Sequence, residues 1–379
     1  MRLLIITPQC PYPPEKSGGI HTLYNLLKSN HLHEIDLQYY DEKNEAAEKG
    51  IEPYVNKVSW IPTKRRRSAI SRIMSLFKKI PFAQYQYKHK MLPNTYEYDA
   101  VIYDQFSSEI MVEDKVPSIC FAHDSMPLFF LRKATRSKNI LAKLYYLLQH
   151  RYAARVERGV LKQAKKIMFV SQEDARYSQT LYKNQGACGF IDLGVDDVAE
   201  IVPKELGRSL VFTGVMDYAP NEDAMSFFIK EVFPILKQAY ADLTLYVVGK
   251  NPSESLLRLS QNEPSIHVTG YVESVYPYIL GATVYISPLR YGTGVKNKVL
   301  EAMNCCKASV FSPISIEAIP EVKPNINCLI AESAEEWVAS VSSLLDDPDK
   351  RRVLERNLAN SAVTERSWAK ALDELVSLE

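Results

Sequence analysis

The chain has 379 residues, more than the ~100–200 of one ordinary domain, so two domains are expected. Apolar residues make up 46% and charged residues 24%, which excludes a disordered chain. No apolar run reaches the ~18–20 residues that span a bilayer, and the opening "MRLLIITP" is too short for a signal h-region. The net charge of +1 hides two opposite halves: residues 1–195 carry 29 Lys/Arg against 19 Asp/Glu, and residues 196–379 carry 17 against 26. A basic half faces something anionic. Without a helix-turn-helix, zinc finger or aromatic RNA motif, a membrane surface or phosphorylated acceptor fits that half better than nucleic acid. The six Cys form no CxxC pair and no metal-ligand spacing, which predicts a reduced, cytosolic protein.

The first element is the apolar run Leu3 to Thr7, a strand. A Pro/Gly-rich loop follows, "PQCPYPPEKSGG", then a helical pattern from Ile20 to Leu27. Buried runs recur at 98–104, 118–124, 166–171 and 189–196 ("GFIDLGVD"), separated by helical stretches. Strands apolar on both faces, alternating with helices, predict a parallel sheet covered on both sides. The pattern restarts at "SLVFTGV" (209–215), with an amphipathic helix over "NEDAMSFFIKEVFPILKQAY". Further strands are expected at 243–250, 266–272, 282–289 and 308–313. The fold class is therefore α/β, two Rossmann-like doubly wound domains with ligands at the carboxyl ends of their strands. The domains are expected at 1–196 and 197–363, with a last helix over 364–379 packing back on the first.

Residues 64–90 break the rhythm, with nine Lys/Arg and no Asp/Glu. Ile70, Ile73, Met74, Phe77 and Ile80 form an apolar stripe on this basic segment, as an interfacial helix on anionic lipid would have. The bland alternative is a stripe packed on the protein under solvated charges. A second basic stretch, 132–166, holds eleven Lys/Arg against Glu157 alone.

The stretch "SPLRYGTGVKNKVLEAMNCCKASVFSP" (287–313) reads strand, Gly loop, helix, strand. Gly292 and Gly294 let the backbone approach a ligand, and a helix starting near Asn297 offers its unpaired amides to an anion. Arg290, Lys296 and Lys298 surround that point, and Glu301 shares a helix face with Lys298. Cations, amides and one carboxylate within twelve residues describe a nucleoside-diphosphate sugar site, the carboxylate accepting from sugar hydroxyls.

These motifs, with "FTGVMDYAPNEDAMSFFIKEVFPIL", "VVGKNP", "VTGYVESVYPYI", "FAHDS", "MFVSQEDARY" and a late "SW", resemble glycosyltransferase family 4. The nearest likeness is to its exosortase-associated sugar-transferase branch, and it covers nearly the whole chain. The resemblance implies the GT-B fold, two domains facing a central cleft, and retaining transfer from a UDP- or GDP-sugar. No DxD motif stands where a metal would bridge the diphosphate, so neither metal nor further cofactor is expected. The acceptor implied is a lipid-linked or cell-surface glycan, met in the cytoplasm or at the inner membrane face.

Glu301 matches the second acidic residue of the family's E-x7-E motif, which binds the ribose. Thr293 stands where the first would be, leaving the backbone of Gly294 and Val295 to grip the donor sugar. After Gly214, where many relatives have an Arg, this chain has Val215, so the cationic clamp is expected to move to Arg290, Lys296 and above all Lys298. The resemblance further places Gly18 and Gly19 against donor phosphate or acceptor, His123 on the donor sugar, and Gly249, Tyr271 and Val272 at the base. Asp124 stands beside His123 as a weaker candidate. A non-catalytic nucleotide-sugar or lipid-phosphate binding module is the competing reading. A dehydrogenase is disfavoured, because no G-x-G-x-x-G follows the first strand.

Overall fold

The computed structural model describes residues 1–14, 17–40, 42–62, 97–105, 116–137, 139–183, 187–292, 294–361 and 365–377. The expected basic helix within 64–90 and the site residue Thr293 lie outside the described residues. The chain divides into two compact units, Met1–Gly194 with Ser367–Glu379, and Val195–Arg366.

The first unit is a seven-stranded sheet of β1 (Arg2–Thr7), β2 (Glu34–Tyr39), β3 (Lys57–Trp60), β4 (Ala100–Asp104), β5 (Ser118–His123), β6 (Lys166–Phe169) and β7 (Ala187–Phe190), in the order β3-β2-β1-β4-β5-β6-β7. Every pairing is parallel. Leu3, Leu4, Ile5 and Ile6 are all buried, as a strand covered on both faces requires. The helices described between these strands are α1 (Gly18–Lys28), α2 (Glu45–Ile51), α3 (Met126–Arg136), α4 (Ile140–Leu161) and α5 (Gln172–Leu181). Ser17 caps α1 by accepting from the Ile20 amide at 3.3 Å, and Ile20, Leu23, Leu26 and Leu27 turn inward.

Two strands of this sheet are additional to those expected. β2 alternates polar and apolar residues, and its Asp36 is buried with Tyr98 donating to it at 2.7 Å. β3 is only four residues long. The run 189–196 is not a strand throughout. Its ladder ends as the Ile191 amide donates to Phe169, and the chain then leaves the sheet toward Gly194.

The second unit has six parallel strands: β8 (Ser209–Thr213), β9 (Thr244–Val248), β10 (Ile266–Gly270), β11 (Val284–Ser287), β12 (Ser309–Phe311) and β13 (Leu329–Ile330), in the order β10-β9-β8-β11-β12-β13. The long amphipathic pattern after β8 is broken rather than continuous: α6 (Ala219–Phe227), a π-turn (Phe228–Val232) and α7 (Phe233–Ala239). Pro234 has no amide to donate, so an unbroken α-helical ladder is excluded there. The remaining helices are α8 (Glu254–Gln261), α9 (Tyr276–Gly281), α10 (Asn297–Asn304), α11 (Pro313–Ile316), α12 (Ala334–Asp346) and α13 (Pro348–Ala359). Phe228 packs edge-on to Trp337 in the core, 5.7 Å between ring centres.

The last helix, α14 (Trp368–Val376), belongs to the first unit. Trp368, Leu372 and Leu375 are buried, and Lys166 Nζ donates to the Glu374 carbonyl at 3.4 Å. A Cβ on Gly194 would lie 2.3 Å from the Trp368 amide nitrogen, so glycine alone fits where the two crossings meet. In each sheet the strand order reverses once, between β1 and β4 and between β8 and β11, and these switch points are where α/β sheets bind ligands.

Candidate functional site

In the second unit the switch point is flanked by the turn after β8 and the loop after β11. Gly214 ends β8 with φ +156°, and Gly249 ends β9 with φ +146°. A Cβ on Gly249 would lie 1.8 Å from the Gly214 carbonyl oxygen, so these two turns interlock only as glycines. A Cβ on Gly214 would lie 2.7 Å from both Lys298 Nζ and Asn221 Nδ2. Lys298, on the first turn of α10, thus reaches under the turn of a different strand.

The Lys298 ammonium donates to Asn221 Oδ1 and lies 4.1 Å from the centre of the Phe212 ring. The residue keeps some surface while its ammonium is enclosed, and the enclosure sets its proton affinity. Burial pulls the amine down to about 7, with Glu301 opposing and Lys296 assisting. Glu301 Oε2 accepts from Thr213 Oγ1 at 3.4 Å, and Thr213 Oγ1 is 2.8 Å from the Tyr285 hydroxyl. Burial, then the charge of Glu301, raises the Tyr285 hydroxyl far above its usual range. It therefore remains a neutral hydrogen-bonding group.

α10 begins at Asn297 with Lys296 as its cap, and no side chain caps its first turn. Gly292 and Gly294 both have positive φ, +150° and +66°, and both are buried with Val295 and Asn297 half-buried beside them. The three cations expected as a clamp separate here. Lys298 stands at the Gly214 turn, whereas Arg290 donates through Nε to Asp223 at 2.8 Å and also through Nη2. Lys296 Nζ donates to the Gly294 carbonyl at 2.6 Å. Tyr271 is exposed and Val272 half-buried after the positive-φ Gly270.

The first unit holds a separate chain of polar groups at neighbouring strand ends. Thr7 Oγ1 donates to Asp104 Oδ2 at 2.8 Å, and Asp104 Oδ1 is 2.6 Å from His123 Nε2. Asp104 is buried. Its second oxygen fixes the His123 ring, as the orienting carboxylate of a functional histidine does. His123 has φ +59°, rare for a residue with a side chain. Its other nitrogen faces the start of α1, where a Cβ on Gly19 would lie 3.9 Å from Nδ1. Gly18 is exposed at the same helix start.

Beyond His123, the Ser125 amide donates to Asp174 Oδ1 at 2.8 Å. Burial, then Asp124, raises Asp174 to about 6. Burial raises Glu157 to about 8, with Ser178 donating to it.

Asp104, Asn221, Thr213 and Tyr285 were not identified from the sequence. Asp104 had one usable signal: it closes "VIYD" as His123 closes "CFAH", and parallel strands bring such ends side by side.

Residues 207–347 match the family described as Glycosyl transferases group 1. A curated Klebsiella pneumoniae protein, described as an uncharacterized 44.6 kDa protein in the cps region, is 20% identical over 320 residues, 80% of each chain. Two solved structures match over nearly their whole length. Anabaena HepE in complex with UDP and glucose has a TM-score of 0.64 at 13% identity, covering 99% of this chain and 97% of its own. WaaG, a glycosyltransferase involved in lipopolysaccharide biosynthesis, has a TM-score of 0.65 at 13% identity, covering 100% of both. The fold is GT-B. Two parallel-sheet α/β units in one chain are its architecture, and the matched segment 207–347 contains Gly214, Lys298 and Glu301.

Proposed function

We propose that this chain is a glycosyltransferase taking its sugar from a nucleoside-diphosphate sugar held at the β8/β11 switch point. The observation that carries the reading is Lys298, an enclosed ammonium beside the Gly214 turn, one helical turn from a carboxylate and at an uncapped helix start. A diphosphate needs positive charge as it departs, and Lys298 with the first amides of α10 supplies it. Glu301 suits the hydroxyls of the nucleoside ribose, since a carboxylate accepts two hydrogen bonds. The match over 207–347 supports the same reading, as does the UDP bound to HepE.

The finer assignments follow from this. We assign retention to front-face displacement: the bond from the anomeric carbon to the diphosphate oxygen breaks, the acceptor hydroxyl adds on that face, and its proton passes to the departing diphosphate. We assign UDP or GDP as the nucleotide, no metal, and a lipid-linked or cell-surface glycan as acceptor. His123, fixed by Asp104, is assigned a sugar hydroxyl.

The test is thermal unfolding with UDP-, GDP- and ADP-sugars, followed by nucleotide release with glycan acceptors. One donor class should raise the melting temperature through mass action, and Lys298→Met should abolish the rise. Stabilisation without nucleotide release would favour the binding-module reading. No stabilisation by any donor would overturn the assignment of the site.

A further inference from the structure

The first half of α4 carries an apolar face that the protein leaves open. Ile140 is 69% exposed, Leu141 73%, Leu144 58% and Tyr145 47%, with Leu148 at 36%. Their spacing, i, i+1, i+4, i+5, i+8, places all five on one side of the helix. The helix is held firmly enough to present them. Asn139 caps it by accepting from the Leu141 and Ala142 amides at 2.9 and 3.2 Å, and His150 reaches the Pro127 carbonyl on α3 at 3.0 Å. Contiguous exposed apolar side chains on a soluble face mark an interaction surface.

The surrounding charge selects the partner. Residues 125–156 contain seven Lys/Arg and no Asp/Glu, and Arg136, Lys143, Arg151 and Arg155 are exposed. A second copy meeting this face about a two-fold axis would set like charges against like. An anionic bilayer complements both features: the leucines enter the headgroup boundary while the cations remain among the phosphates. Among the described residues no helix is long and apolar enough to cross a membrane, so such contact lies along the surface.

We infer that the open face of α4 docks the protein on an anionic lipid surface, independently of what the second unit transfers. None of its residues belongs to the basic segment 64–90. The experiment is co-sedimentation of the full chain with vesicles of phosphatidylcholine alone or mixed with phosphatidylglycerol. Wild type should sediment with the mixed vesicles and far less with phosphatidylcholine. The variant Leu141→Glu, Leu144→Glu should lose at least ~10-fold in partitioning, since two leucines no longer enter the apolar layer. Both positions are exposed, so its melting temperature should stay near wild type.

A Leu144→Trp variant supplies a local probe. Its added indole emission should shift to the blue on mixed vesicles only, including when Arg65, Arg66, Arg67, Lys78 and Lys79 are neutralised. Unchanged emission, or full binding by the double variant, would overturn the inference. So would a concentration-dependent dimer that the double variant dissolves, in a protein that ignores both vesicles.

Discussion

The Lys298 ammonium lies over the Phe212 ring at 4.1 Å while donating to Asn221 Oδ1, so a cation from the start of α10 is housed by β8 and α6. The aromatic face and the amide oxygen partly replace the water that the ammonium has lost. They do not replace all of it, because its proton affinity falls to about 7. An anion entering beside Gly214 would supply the missing partner.

Replacing Lys298 by Met should therefore separate stability from activity. The native ammonium binds its proton less tightly than an ordinary lysine at 10.5, so wild-type stability rises with pH from about 7 toward 10.5. Lys298→Met should flatten that slope and raise the melting temperature near neutral pH. Turnover should drop ~10²–10³-fold, as when a transition-state donor is removed. Thermal melts across pH, paired with initial rates, check both.

Donor affinity should fall as pH rises past about 7. A nucleotide-sugar diphosphate binds the charged ammonium better, and the donor has no titrating proton of its own there. Binding at pH 7 should accordingly take up about half a proton, and close to one a unit or more higher. Titration calorimetry in two buffers of different ionisation enthalpy measures that uptake, and Lys298→Met should remove it.

Glu301→Gln should weaken donor binding by ~1.5–3 kcal/mol, the value of charge-assisted hydrogen bonds, without unfolding the protein. Within the fold Glu301 accepts a long 3.4 Å hydrogen bond from Thr213, which a glutamine oxygen can accept as well. Direct binding of the stabilising nucleotide, with melts as control, decides it. An unchanged affinity would exclude Glu301 from the ribose.

Asp104→Asn should keep the His123 ring in place while changing which nitrogen carries the proton. We expect a loss of ~10²-fold or more in turnover, by analogy with the tautomer defects of other carboxylate–histidine pairs, and little change in donor affinity. Comparing kcat and KM with those of His123→Asn tests whether the two residues act as one unit.

Glu157→Gln should stabilise the first unit at alkaline pH. Native Glu157 holds its proton up to about 8 against an ordinary 4.5, so the stability it contributes is full below 4.5 and lost as pH rises toward 8, by up to ~5 kcal/mol. The amide cannot ionise. Melting temperatures of wild type and variant should converge near pH 4 and separate by pH 8.

Much of the fold was legible because parallel strands covered by helices must be apolar on both faces. Runs such as "LLIIT" and "SLVFT" therefore announce themselves, and their restart after residue 208 announces a second sheet. β2 hid because its buried Asp36 depends on Tyr98, sixty-two residues away, and local patterning carries no trace of such a partner. The glycine loop, the start of α10 and the shared helix face of Lys298 and Glu301 were likewise readable, since helix geometry fixes neighbours three residues apart.

What the sequence could not state is where long side chains end. Arg290, Lys296 and Lys298 look equivalent within nine residues, but Asp223 takes the first, the Gly294 carbonyl accepts from the second, and the Gly214 turn encloses the third. Each destination is set by strand order, which brings the end of β8 beside the loop after β11. The same holds for Thr7, Asp104 and His123, distant in the chain and joined because β1, β4 and β5 are neighbours. Residue types and periodicity determined the two sheets and the glycine loop before α10. Only the tertiary structure decided which charge is buried and which histidine is held, because burial and partners are properties of the packed chain.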